Sequence, residues 1–169
     1  MIIVHVLGEL FIIIAYHNNM KIYIGSDHAG FELKKYIESF LKENDYEVFD
    51  CGPDKYDPQD DYPDYISIVA RYVSKDLESR GIVIGYSGQG EAIVSNRFSS
   101  VRCAVYYGGQ EEILTLSRKH NDANVLSLSS HFLSYEQANQ AILLWLKTEF
   151  SGDERHVRRI KKIEDYDNA

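Results

Sequence analysis

The amino-acid sequence predicts an α/β fold, a single domain built on a parallel sheet. From Lys21 onward, short β-branched or aromatic runs alternate with stretches of helical periodicity, which is the signature of repeated βαβ units. The chain has 169 residues, enough to bury one substantial core without disulfides or structural metals. KIYIGS (21–26) reads as a buried strand, and 31–44 as a helix with its apolar stripe on Phe31, Leu33, Ile37, Phe40 and Leu41. YEVFD (46–50) returns to strand period. The segment 51–63 holds all three prolines among many aspartates and reads as a loop. A helix over 64–79, a strand over 81–87, a helix over 90–98 and a strand over 102–107 follow. A helix around 109–119 leads to a fifth strand, 124–129, and two closing helices span 134–150 and 154–166, the first with Ser134 as its N-cap.

Charge and cysteine content exclude several classes of function. With 26 acidic against 18 basic residues the net charge is −8, so nucleic acid and anionic membranes are not expected partners, and an anionic ligand must meet a local basic cluster. Cys51 and Cys103 lack metal-ligand or redox-motif spacing, which points to a reducing, cytoplasmic setting and to no metal. Residues 1–19 are apolar, but His5 and Glu9 interrupt them, the run is short for a spanning helix, and no Lys or Arg precedes Lys21. They read as an N-terminal extension or a start-site artefact, with the functional domain over 20–169.

In open α/β sheets, ligands bind where strand ends lead into helices. YSGQGEAI (86–93) places glycine amides at a helix start, a cradle for an anion, with Glu91 in the first turn. Glu91 there is either a base or a complement to the helix dipole, and Ser87 either a contact or an N-cap. SDHAG (26–30) places Asp27 and His28 after the first strand, Asp27 being also a natural cap, and RKHND (118–122) contributes His120 and Asn121. The three loops are expected at or near one edge of the sheet, sharing a pocket. Arg155 and Arg159 stand four apart on the last helix, where their forks could grip a phosphate or could simply form a solvated basic face.

Taken together, GSDHAGFELK (25–34), DYPDY (61–65), GYSGQGEAI (85–93), Asn96-Arg97, KHNDAN (119–124) and RHVRRI (155–160) resemble the type B ribose-5-phosphate isomerase family, which also includes galactose- and allose-6-phosphate isomerases. The resemblance covers about residues 20–166. It implies a three-layer α/β/α sandwich on a Rossmann-like five-stranded parallel sheet, and a homodimer or dimer of dimers whose active sites draw on both subunits. One branch of the family uses a cysteine thiolate as base and the other a glutamate after a GSGxG-like loop. Gly85 stands at the cysteine's place and Glu91 at the glutamate's, so the chain resembles the second branch.

The implied reaction interconverts ribose 5-phosphate and ribulose 5-phosphate through an enediolate, a step of the pentose phosphate pathway, with no cofactor. By the same resemblance Glu91 is the base, and His120 opens the sugar ring with help from Asp27. Asp27, His28, Ser87, Gly88, Gly90 and Asn121 contact the sugar, Tyr62 borders the pocket, and Arg155 and Arg159 hold the phosphate. His131 departs from the pattern, standing where the family places a phosphate-binding arginine. Histidine is shorter and not bidentate, so phosphate binding is expected to be weaker or rearranged. A six-carbon sugar phosphate is the alternative substrate, and a non-catalytic sugar-phosphate-binding module the alternative class. The loop has neither GxGxxG nor a P-loop lysine, which disfavours a nucleotide site.

Overall fold

In the computed structural model, placement is described for residues 2–6, 9–13 and 20–168, and side-chain surroundings for 20–166. Ile2–Val6 (β1) and Glu9–Ile13 (β2) pair antiparallel as a hairpin, in a sheet separate from the main one. The reading of residues 1–19 as an extension falls in part outside the described residues, at 1, 7–8 and 14–19.

The main sheet is made of Lys21–Ser26 (β3), Glu47–Asp50 (β4), Arg80–Gly85 (β5), Cys103–Tyr106 (β6) and Val125–Ser129 (β7). All four pairings are parallel, in the order β4-β3-β5-β7-β6. Side chains alternate between the sheet's faces. Ile22, Ile24, Ile82, Ile84, Leu126 and Leu128 enter one core, beneath helices Phe31–Glu43 (α1), Glu112–Asn121 (α4) and Tyr135–Lys147 (α5). Tyr23, Val83 and Val125 enter the other, beneath Tyr62–Lys75 (α2) and Gln89–Ser95 (α3). Burial on both faces accounts for the near-continuous apolar strands and yields the expected three-layer α/β/α sandwich.

Local chemistry sets the helix ends. Ser134 caps α5 in a full capping box with Gln137, as its position predicts. α2 begins at Tyr62 rather than 64, because Pro63 falls in its first turn, where a missing N–H costs nothing, and it ends at Lys75 rather than 79. Ser87 is not an N-cap: Gly88, at φ 79°, precedes α3, and no side chain caps it. A last helix, Glu154–Glu164 (α6), packs on α4. Lys34 of α1 is wholly buried, and its Nζ donates to both Asp50 oxygens at 2.6 Å and to the Pro53 carbonyl at 2.9 Å. That pairing ties α1 to the start of the 51–61 loop. Among the described residues, no helix is long and apolar enough to cross a membrane.

Candidate active site

β3 and β5 are neighbours, yet α1 leaves β3 for one face of the sheet while α3 leaves β5 for the other. This divergence opens a crevice at the carboxyl ends of the two strands. Into it β3 delivers Asp27 and His28, on a single 3₁₀ turn over His28–Gly30 that Asp27 caps by accepting the Gly30 N–H at 3.1 Å. The turn lies so close to β5 that a side chain on Gly30 would meet the Ile84 carbonyl.

β5 delivers Ser87, Gly88, Gly90 and Glu91. The Ser127 hydroxyl, on β7, donates to the Gly88 carbonyl at 2.6 Å and fixes the loop from below. The Tyr62 ring packs over Gly90, 2.9 Å from where a methyl group would sit. Glu91 is 4% exposed, and its carboxylate lies against the Cα of Gly85, in the space that any side chain at 85 would need. Burial raises its carboxyl above the usual range, and the nearby charge of Asp27 pushes the same way. A carboxylate so placed is a stronger base than one on the surface. Cys51 and Cys103 are pushed up to about 12 by burial, so neither offers a thiolate at neutral pH.

Two neighbours of this crevice carry no signal in the sequence pattern. Asp60 lies in the aspartate-rich loop, and its Oδ1 faces His28 Nδ1 at 2.6 Å while accepting the His28 backbone N–H at 3.0 Å. The hydrogen bond raises the His28 pKa, and Asp27 and Asp57 add to the rise. Ligand atoms of Asp27, His28 and Asp60 lie within 4.8 Å of one another, and His28 Nδ1 and Asp60 Oδ1 meet in that hydrogen bond. Tyr86 is the second: its ring stacks on His131 at 4.3 Å, and the His131 N–H reaches the Tyr86 carbonyl at 3.2 Å. His131 thus sits at the carboxyl edge beside the cradle, held by an aromatic partner.

The expectation of one edge for all three loops does not hold within the chain. α4 leaves the carboxyl end of β6 and runs back, so His120 and Asn121, at its end, come just before Val125, whose partner on β5 is Gly81. Glu91 lies beyond Gly85, at the far end of the same pairing. Those strand positions are separated by about 13 Å along the sheet. Arg155 and Arg159 join His120 rather than Glu91. The His120 ring lies 4.4 Å from that of His156, on the same helix as the arginines, and the Ser151 N–H bonds to the Lys119 carbonyl at 3.1 Å. His156, buried and with its pKa lowered by that burial and by His120, was also invisible in the pattern. The chain therefore carries two clusters: an acid–base cluster at the carboxyl edge, and a histidine–arginine cluster at the amino edge.

A buried carboxylate at the switch point of an open α/β sheet defines a small-molecule acid–base protein. The chain belongs to the Ribose/Galactose Isomerase family, whose model matches residues 22–163. It is 36% identical over 152 residues to ribose-5-phosphate isomerase B of Mycobacterium tuberculosis, covering 90% of this chain and 93% of that one. The crystal structure of ribose-5-phosphate isomerase B from Mycoplasma genitalium with bound ribulose-5-phosphate superposes with a TM-score of 0.83 at 39% identity, over 88% of this chain and 97% of that one. Ribose-5-phosphate isomerase B of Clostridium thermocellum gives 0.81 at 41% identity, over 88% and 98%.

Proposed function

We propose that the chain is an aldose–ketose isomerase interconverting ribose 5-phosphate and ribulose 5-phosphate, a step of the pentose phosphate pathway, and that it works as a dimer in the cytosol. The observation that carries the reading is Glu91: a carboxylate buried against Gly85, beside Asp27, in a chain whose family model spans both residues. The free thiols of Cys51 and Cys103 and the phosphorylated substrate support the cytosol. Residues 20–169 form the isomerase domain, and 1–19 are an extension outside it.

Glu91 lifts the proton from the carbon beside the carbonyl and returns it to the adjacent carbon, passing through the enediolate. Amides of the 87–91 loop meet the charge that develops on oxygen, each donor worth about 3 kcal/mol in such sites. His120, Asn121, Arg155 and Arg159 reach this crevice from a second copy of the chain, because within one copy they face the opposite edge of the sheet. His120 protonates the ring oxygen with Asp27 assisting, and Arg155 and Arg159, one turn apart and exposed, grip the phosphate. Asp27, His28, Ser87, Gly88, Gly90 and Asn121 contact the sugar, Tyr62 walls the pocket, and His131 stands in for a phosphate-binding arginine.

A coupled assay on ribose 5-phosphate and on six-carbon sugar phosphates, run on the parent and on Glu91→Gln, tests this. The parent should prefer ribose 5-phosphate, and Glu91→Gln should lose about 10²–10⁴ in kcat while still binding substrate. A fully active Glu91→Gln protein would sink the mechanism, and a preference for a six-carbon sugar would replace the substrate.

A further inference from the structure

Asp60 is a buried carboxylate for which the proton transfer at Glu91 has no use. Its side chain is 4% exposed, Oδ1 takes two hydrogen bonds from His28, and Oδ2 is buried with no hydrogen-bond partner among the described residues. A carboxylate held so far from water with an oxygen unmet is costly unless a counter-charge stands beside it. The group that stands there is His28, which keeps 36% of its side chain open while its Nδ1 is taken up by Asp60. Of the two ring nitrogens, that leaves Nε2 for the crevice.

We propose that Asp60 is a positioning residue: holding the His28 backbone N–H and Nδ1–H on one buried oxygen, it keeps His28 as an imidazolium with Nε2 presented to the anionic oxygens of the substrate. The proposal rests on the isomerase reading and deepens it. The crevice already carries Asp27 and Glu91, and a sugar phosphate brings further negative charge, so a cation fixed at this wall offsets repulsion that the carboxyl-edge loops would otherwise impose. The charged and titratable groups facing His28 are Asp27, on its own turn, and Asp57 and Asp60, on the loop after β4. All three favour the protonated ring. The same loop is moored at its start by Lys34, so Asp60 is carried by a segment tied at both ends.

The test is the titration of His28 by NMR, in the full-length parent and in Asp60→Asn, together with KM and kcat for ribose 5-phosphate from pH 6 to pH 8.5. The His28 midpoint should fall in Asp60→Asn, each unit of fall removing about tenfold of the imidazolium at alkaline pH. KM should rise accordingly at pH 8 and much less at pH 6, with kcat nearly unchanged, and Asp60→Glu should recover part of both. An unchanged His28 midpoint in Asp60→Asn overturns the proposal, as does a fall in kcat with KM untouched at every pH. Should Asp60→Asn fail to fold, Asp60→Glu carries the test: a midpoint and KM equal to those of an Asp60→Ala protein would overturn it. The titration needs no turnover, so a parent inactive on every sugar phosphate would defeat the functional reading while leaving the Asp60–His28 pairing to be decided separately.

Discussion

At the carboxyl edge, Glu91 and Asp27 are 4% and 7% exposed, and the loops that hold them are pinned by Ser127, Gly30 and the Tyr62 ring. At the amino edge, Asn121, Arg155 and Arg159 lie open to solvent, and Arg155 has as its recorded partner a loose 3.7 Å contact with Asp153. The contrast follows from the work each half would do. A base must be desolvated and fixed in advance, since a displaced carboxylate loses rate steeply. Groups that capture a phosphate gain from reach and charge, and need burial only once a second copy covers them.

That contrast can be tested directly. Glu91→Gln and His120→Ala each remove one half, so each should be nearly inactive alone. If the halves come from different copies, an equal mixture reassembled from both variants should recover about a quarter of parental activity, since half the random dimers then hold one intact site of two. No recovery on mixing would place both halves in one chain. Next in size is Gly85→Ala. The added methyl displaces the Glu91 side chain, which has a flexible end, so turnover should fall by about 100-fold. The melting temperature should move by only a few degrees, and a large thermal loss with normal turnover would contradict the placement of the carboxylate.

Asp27→Asn should act on the profile more than on the folded state. Removing that charge lowers the Glu91 carboxyl, so the acid limb of kcat/KM should move to lower pH, whatever the loss in rate. A limb that stays in place would mean that burial alone sets the base. His131→Arg is expected to have the smallest effect. It gives up the Tyr86 stack for a bidentate donor and should lower KM for ribose 5-phosphate a few-fold. An unchanged KM would remove His131 from the phosphate site.

The three central strands were legible because each is a short, largely β-branched or aliphatic run, and burial on both faces keeps such runs apolar. Glu91 and Asp27 were legible as carboxylates in loops that lead from strand to helix, Tyr62 only through resemblance, and the geometry places all three around one crevice. Asp60 was not. It is one of several aspartates in the 51–61 loop, and nothing local distinguishes the one that folds back onto His28 from its neighbours. His120 lies at the other edge for a simpler reason. A residue at the end of a crossover helix lies near the start of the next strand, whereas Asp27 and Glu91 lie where strands lead into helices. Tyr86 carries no local signal because a single exposed tyrosine is ordinary, and its meaning comes from His131, 45 positions later.

The overlap of Gly85 and Glu91 bears on how one branch of the family could turn into the other. A cysteine at 85 would put its Cβ where the Glu91 carboxylate now sits, so the two side chains compete for one volume unless the glutamate swings aside. A lineage exchanging the two residues must move the carboxylate aside, or hold for a time two acidic groups against each other, each making the other harder to ionise. Glycine at 85 is in this sense a commitment: its missing side chain is the space that the Glu91 carboxylate fills.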